Sequence, residues 1–238
     1  MKKSLLLLLL LLAAFAIWEA MQRFWPQRKP IGGYTVEDRV AQYGKAADAY
    51  WRPLFHRAGA TYPPRRLLLV AFKEEKKLEV YAGDILGNMH HITTFPILAA
   101  SGGAGLKIRE GDRQVPEGFY RIESLNPNSR FHLSLRINYP NLEDLNAAKA
   151  EGRDLSNLGG DIMIHGSNVS IGCLAMGDEA AERLFILAAK VPLDEVQVVI
   201  VPRDLRQIAD ETFASETSDR VKDLYQRLRA FQLSPSSW

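Results

Sequence analysis

The chain has a single cysteine among its 238 residues. No internal disulfide can form, so Cys173 serves either as a small buried apolar residue or as a reactive thiol. A strong charge of either sign is also missing: 30 Lys and Arg are interleaved with 28 Asp and Glu, leaving a net charge of +2. Without a basic cluster to hold a phosphate backbone, a nucleic-acid partner is not expected. His90 and His91 are adjacent but have no second pair of ligands at usable spacing, which argues against a zinc site. The glycine-rich run Ser101-Gly102-Gly103-Ala104-Gly105 lacks the order of strand, glycines and helix that a dinucleotide fingerprint requires. Internal repeats are absent, and the one low-complexity tract is a leucine run near the start.

That run is the first feature present. Met1-Lys2-Lys3 precedes an apolar stretch from Leu5 to Trp18, shorter than the about 20 residues of a membrane span and typical of an export signal. Ala14-Phe15-Ala16 offers a small-residue cleavage site, while Ile17, Trp18, Phe24 and Trp25 carry the apolar character past it. Cleaved, the protein is expected in the periplasm; uncleaved, it is held at the outer face of the inner membrane with its lysines left in the cytoplasm.

The rest divides into a helical segment over 26–62, one main domain over 63–203 and a terminal helix over 204–238. Apolar Val36, Val40, Tyr43, Ala47, Tyr50, Trp51 and Leu54 recur at helical spacing. Strands are expected over Arg66 to Lys73, Leu78 to Ala82, His91 to Ala99, into Ile122, over Phe131 to Asn138, Asp161 to His165 and Val196 to Val201. The first is continuously apolar rather than alternating. The charged Lys73-Glu74-Glu75-Lys76-Lys77 reads as a hairpin turn in water. A helix is expected over Asp178 to Ala189, with acidic residues in its first turn where the helix dipole favours them. The fold class is therefore mainly β with flanking helices, α+β.

Eight positions before Cys173 stands His165, in His165-Gly166-Ser167-Asn168-Val169-Ser170-Ile171-Gly172-Cys173. An unshifted thiol, with a pKa of about 8.5, is only a few per cent thiolate at neutral pH, and a nearby imidazole is the usual activator. The glycines and serines between the two let the chain fold back and bring them together. Backbone amides of Gly172 and Cys173, with Ile171, suit an oxyanion hole. On spacing alone two readings hold equally, a nucleophile with its base and a structural cysteine near an unrelated histidine.

His165-Gly166-Ser167 followed by Ser170-Ile171-Gly172-Cys173-Leu174-Ala175-Met176 resembles the signature of the L,D-transpeptidase catalytic domain family (YkuD-type), and most the YafK-like branch. Lys107 to Asp112, Val115 to Tyr120, Phe131 to Leu135 and Asn138 to Asn141 support the resemblance, which covers about Arg66 to Pro202. It implies a β-sandwich catalytic domain over 63–203 acting on peptidoglycan stem peptides. Cys173 would attack the carbonyl at meso-diaminopimelate to form a thioester that an amine acceptor resolves in cell-wall remodelling, with His165 as base and acid. Ser170 would orient the site, His132, Arg109 and Tyr139 would line the substrate cleft, and neither metal nor organic cofactor would be needed.

Two departures stand out. Ile171 replaces the histidine of the usual serine-histidine-glycine-cysteine run, and Ala175 replaces an arginine two places after the thiol. They bear on substrate recognition and leave the nucleophile and base in place. Two rival functions follow: a hydrolase that uses the same thioester to release a peptide or a wall-linked protein, and a non-catalytic wall-binding module in which Cys173 is unreactive.

Overall fold

The continuous apolar run Leu67–Phe72 is explained by what covers it. In the computed structural model, which describes residues 32–84, 86–207 and 218–233, Leu67, Leu69 and Ala71 face one hydrophobic core, and Leu68, Val70 and Phe72 face another. A strand buried on both faces has no polar side to alternate. That strand is β1 (Arg66–Phe72), preceded by α1 (Val36–Arg57) and followed by β2 (Lys77–Gly83), β3 (Met89–Pro96), β4 (Ala99–Ala100), β5 (Gly118–Asn126), β6 (Ser134–Ile137), α2 (Leu142–Ala150), β7 (Met163–His165), β8 (Leu174–Ala175), α3 (Asp178–Ala188), β9 (Val196–Val201) and α4 (Asp219–Leu233). The leader lies outside the described residues. Among those described, no helix is long and apolar enough to cross a membrane.

The strands form one mixed sheet in the order β3-β2-β1-β9-β5-β6-β7-β8-β4. β5 joins its two halves, pairing with β9 through Gly118 to Arg121 and with β6 through Ile122 to Asn126 across a register shift. The expected α+β class, a sheet with flanking helices, is thus the observed one. α1 begins with a capping box, Thr35 Oγ1 accepting from Asp38 N while the Asp38 carboxylate accepts from Thr35 N. Its Trp51 and Phe55 enter the larger core together with Leu184, Phe185 and Leu187 of α3. Trp51 Nε1 donates to the Arg183 carbonyl at 2.9 Å and fixes one helix against the other. α4 covers the opposite face of β1 and β9 with Leu224, Tyr225, Leu228 and Phe231.

Three expectations are corrected. Lys73 is not in a solvated turn: its side chain is 3% exposed, and its Nζ lies 2.9 Å from Glu117 Oε1, whose side chain is fully buried. The strand expected from His91 to Ala99 is interrupted after Pro96, because the chain leaves β2 and takes β8 as its new partner at Ala99 and Ala100. The strand expected from Phe131 begins only at Ser134, since His132 sits at φ 74°, outside the extended region.

Candidate active site

β7 delivers His165, and the residues that follow it form a tight loop back to β8. Gly166 has to be glycine: a Cβ there would stand 2.5 Å from Asp178 Oδ1, 2.7 Å from the Phe131 carbonyl and 2.9 Å from His132 Cβ. Ser167 turns the chain at φ 62°, with its amide donating to Asp178 Oδ1 at 2.7 Å. Gly177 N then donates to Ser167 O and Met176 N to His165 O, closing the loop's base. Gly166→Ala is expected to cost roughly 1–3 kcal/mol, as overpacking against backbone does, and to lower the midpoint of thermal unfolding.

β7 and β8 run parallel, with Ile164 opposite Leu174 and His165 opposite Ala175. Ile164 and Leu174 point into the larger core, His165 lies opposite Ala175, and Cys173 stands in the bend one residue before β8. His165 is buried beneath Phe131, whose ring stacks on it at 4.8 Å and 29°. Its Nδ1 lies 2.5 Å from the Gly166 carbonyl. A carbonyl only accepts, so Nδ1 carries the proton and Nε2 presents the lone pair of a base.

The thiol is half-buried and donates to the Asp161 carbonyl at 3.5 Å, with Asp161 itself turned out at φ 55°. Burial pushes the thiol's pKa up, and the Asp161 charge adds to this; the Met163 amide and the Lys107 ammonium pull the other way without cancelling it. Burial likewise pushes His165 down, against the opposing hydrogen bond to Gly166. Both shifts favour a neutral thiol and a neutral imidazole over a preformed ion pair. A base with a lowered pKa stays competent to more acidic pH, so the acid limb of a Cys173 acylation profile is expected below the ordinary imidazole value of about 6.5. Simple alkylation by iodoacetamide should still be accelerating above the ordinary thiol value of about 8.5. An alkylation plateau reached below pH 7 would mark a stabilised thiolate instead.

Gly172 adopts φ 128°, a conformation that favours glycine, and this aims two amides at one point. The Gly172 and Cys173 amides donate to Ser170 Oγ at 3.3 and 3.1 Å, while that hydroxyl donates to the Cys173 carbonyl at 2.6 Å. An oxygen already sits where the two donors converge, as an oxyanion would. Ile171 projects into solvent at 81% exposure, and Ala175 is fully buried. Of the other sequence candidates, His132 Nε2 is 2.7 Å from Glu182 Oε1, and its ring meets Tyr43 edge-on. Tyr139 is buried with its hydroxyl 3.4 Å from the Lys107 and Leu158 carbonyls, and Arg109 is exposed. The sequence reading passed over Lys107 as an individual residue. Its buried ammonium bonds Asp112 Oδ1 at 2.7 Å and the Arg109 carbonyl at 2.9 Å, and its charge acts on Cys173. Asp112 also accepts from the amides of Ile108, Arg109 and Gln114, knotting this loop beside the thiol. Among the described residues there is no group of His, Cys, Asp and Glu that could hold a metal ion.

The sequence pattern of the family described as YkuD, L,D-transpeptidase catalytic domain, matches residues 66–200, from β1 through β9. The chain belongs to this L,D-transpeptidase family. YafK of Escherichia coli K12, provisionally named an L,D-transpeptidase, is 32% identical over 164 residues, covering 66% of this chain and 61% of its own length. The chain therefore spans about three fifths of the curated relatives it matches. Solved structures with a similar fold include the helical cell shape determining protein Pgp2 of Campylobacter jejuni, 21% identical, with TM-score 0.47 and coverage of 74% of this chain and 71% of that one. L,D-transpeptidase 1 of Mycobacterium tuberculosis is 17% identical, with TM-score 0.33 and coverage of 57% and 62%. The L,D-transpeptidase match takes in every residue discussed around the thiol.

Proposed function

We propose that this protein is a cysteine acyltransferase that works outside the cytoplasm on peptidoglycan stem peptides. The observation that carries the reading is the convergence of the Gly172 and Cys173 amides on one oxygen, in a turn that leads into β8, whose parallel partner β7 ends at His165. Cys173 Sγ attacks the carbonyl at meso-diaminopimelate while its proton passes to His165 Nε2. The S–C bond forms, the C–N bond to the departing residue breaks, and His165 returns the proton to the leaving amine. The Gly172 and Cys173 amides hold the oxyanion once Ser170 Oγ yields its place. An acceptor amine then attacks the thioester, giving its proton through His165 to the sulfur as the C–S bond breaks. Neutral reactants suit this route, because proton transfer accompanies attack and no charge is stored in a buried site.

The leader and the family resemblance support a site of action in the periplasm or at the outer face of the inner membrane. The test is to supply defined muropeptides with and without an acceptor amine and identify the products by mass. A cross-linked product that appears only with the acceptor is expected. Release of the terminal group without any cross-link would replace transfer by hydrolysis, and an unchanged substrate would favour a wall-binding module.

A further inference from the structure

Residues 101–117 form a loop between β4 and β5 that lies against the nucleophile turn. β4 pairs with β8, Val115 N donates back to Ser101 O, and the Gln114 carbonyl lies 3.5 Å from where a Cβ on Gly172 would sit. The loop is anchored by charges held out of water. Lys73 Nζ, besides its ion pair with Glu117, donates to Gly105 O at 3.1 Å, Val115 O at 2.9 Å and Gln114 Oε1 at 3.3 Å. One ammonium thus grips the loop at its middle and at its end. Glu117 Oε1 also accepts from Gly105 N at 2.8 Å, and Oε2 accepts from the Tyr225 hydroxyl at 2.7 Å. Both carboxylate oxygens are engaged, one of them by α4.

A buried ion pair contributes less to net stability than its distance suggests, because desolvation offsets the attraction. Its directional bonds do fix which groups meet. The apolar contacts of α4 with β1 and β9 would hold that helix in place without any hydroxyl reaching Glu117. The Tyr225 bond adds direction to that apolar packing. It also gives the glycine-rich run a role, since the Gly105 amide and carbonyl both take part in the network.

We propose that Tyr225 is a positioning residue that acts through Glu117 and Lys73 to hold loop 101–117 against Gly172, so that α4 sets the geometry of the Gly172 and Cys173 amides. The proposal rests on Cys173 being the acylated nucleophile. Removing the hydroxyl loosens the loop, lets Gly172 shift and spreads the two donors from their common point.

The full chain and the variants Tyr225→Phe and Leu228→Ala are compared by the time course of carbapenem acylation, read by intact mass, and by amide hydrogen exchange. Leu228 is fully buried in the α4 contact, so its truncation removes apolar packing while the Tyr225 hydroxyl still bonds Glu117. Tyr225→Phe is expected to slow acylation about tenfold at saturating carbapenem and to speed exchange across 102–114 while β1 and β9 exchange unchanged. Leu228→Ala should lower the unfolding temperature yet acylate within about twofold of the unaltered protein. Equal slowing in both variants, or unchanged exchange across 102–114 in Tyr225→Phe, overturns the inference. The exchange readout does not depend on chemistry at Cys173. Failure of the unaltered protein to acylate would therefore count against the nucleophile alone, while exchange still decides the role of Tyr225.

Discussion

Cys173→Ala is expected to abolish covalent capture of a carbapenem outright, and His165→Gln to slow it by roughly 10²–10⁴, the usual worth of a positioned general base. The two losses differ in kind. Without sulfur no thioester forms, and a chain with no other cysteine has no substitute thiol. Without the imidazole the thiol remains, but its pKa is pushed up by burial, so little thiolate is present at neutral pH to attack unaided. Raising the pH should therefore recover part of the His165→Gln rate and none of the Cys173→Ala loss. Intact-mass time courses at about pH 7 and about pH 9.5, on either side of the ordinary thiol value of about 8.5, read both variants. An adduct on Cys173→Ala would remove Cys173 as the nucleophile. A wild-type rate in His165→Gln would remove the base and leave the thiol to a different activator.

What the sequence made legible follows from which interactions are local. The β1 run of leucines is read as a strand because its apolar residues are contiguous, and the two cores that cover it explain why they do not alternate. The helix over Asp178–Ala188 announces itself by spacing and by its acidic first turn. His165 and Cys173 are near enough in sequence for a loop to join them, though not for spacing to show that β7 and β8 run parallel with His165 opposite Ala175. The Ser170 hydroxyl between the two amides depends on the positive φ of Gly172, which leaves no periodic mark. Lys107 and Asp112 sit in a polar stretch that looks solvated, and only the fold brings their charge to the thiol. Lys73 is the sharpest case. A lysine opening a run of five charged residues reads as surface, and its partner Glu117 is 44 positions away. A contact of such separation is set by strand order, with β1 and β5 on either side of β9, and by no pattern within either segment.

Lys73→Met is expected to be the most destabilising change described, because it leaves the fully buried Glu117 carboxyl without its cation. Breaking a buried pair from one side typically costs about 3–5 kcal/mol, which for a domain of this size corresponds to a fall of roughly 6–20 °C in Tm. The Tyr225 hydroxyl and the Gly105 amide would remain on the Glu117 carboxylate, but neither supplies a positive charge. Lys73→Met/Glu117→Gln removes the stranded charge while a side-chain oxygen still accepts from the Gly105 amide, so the double variant should regain most of the lost Tm. Thermal unfolding of the two single variants and the double closes the cycle. A strongly positive coupling, with the double variant more stable than Lys73→Met, is the expected result. Additive losses would mean that Lys73 stabilises mainly through the Gly105, Gln114 and Val115 oxygens it also holds, and that the ion pair with Glu117 contributes little.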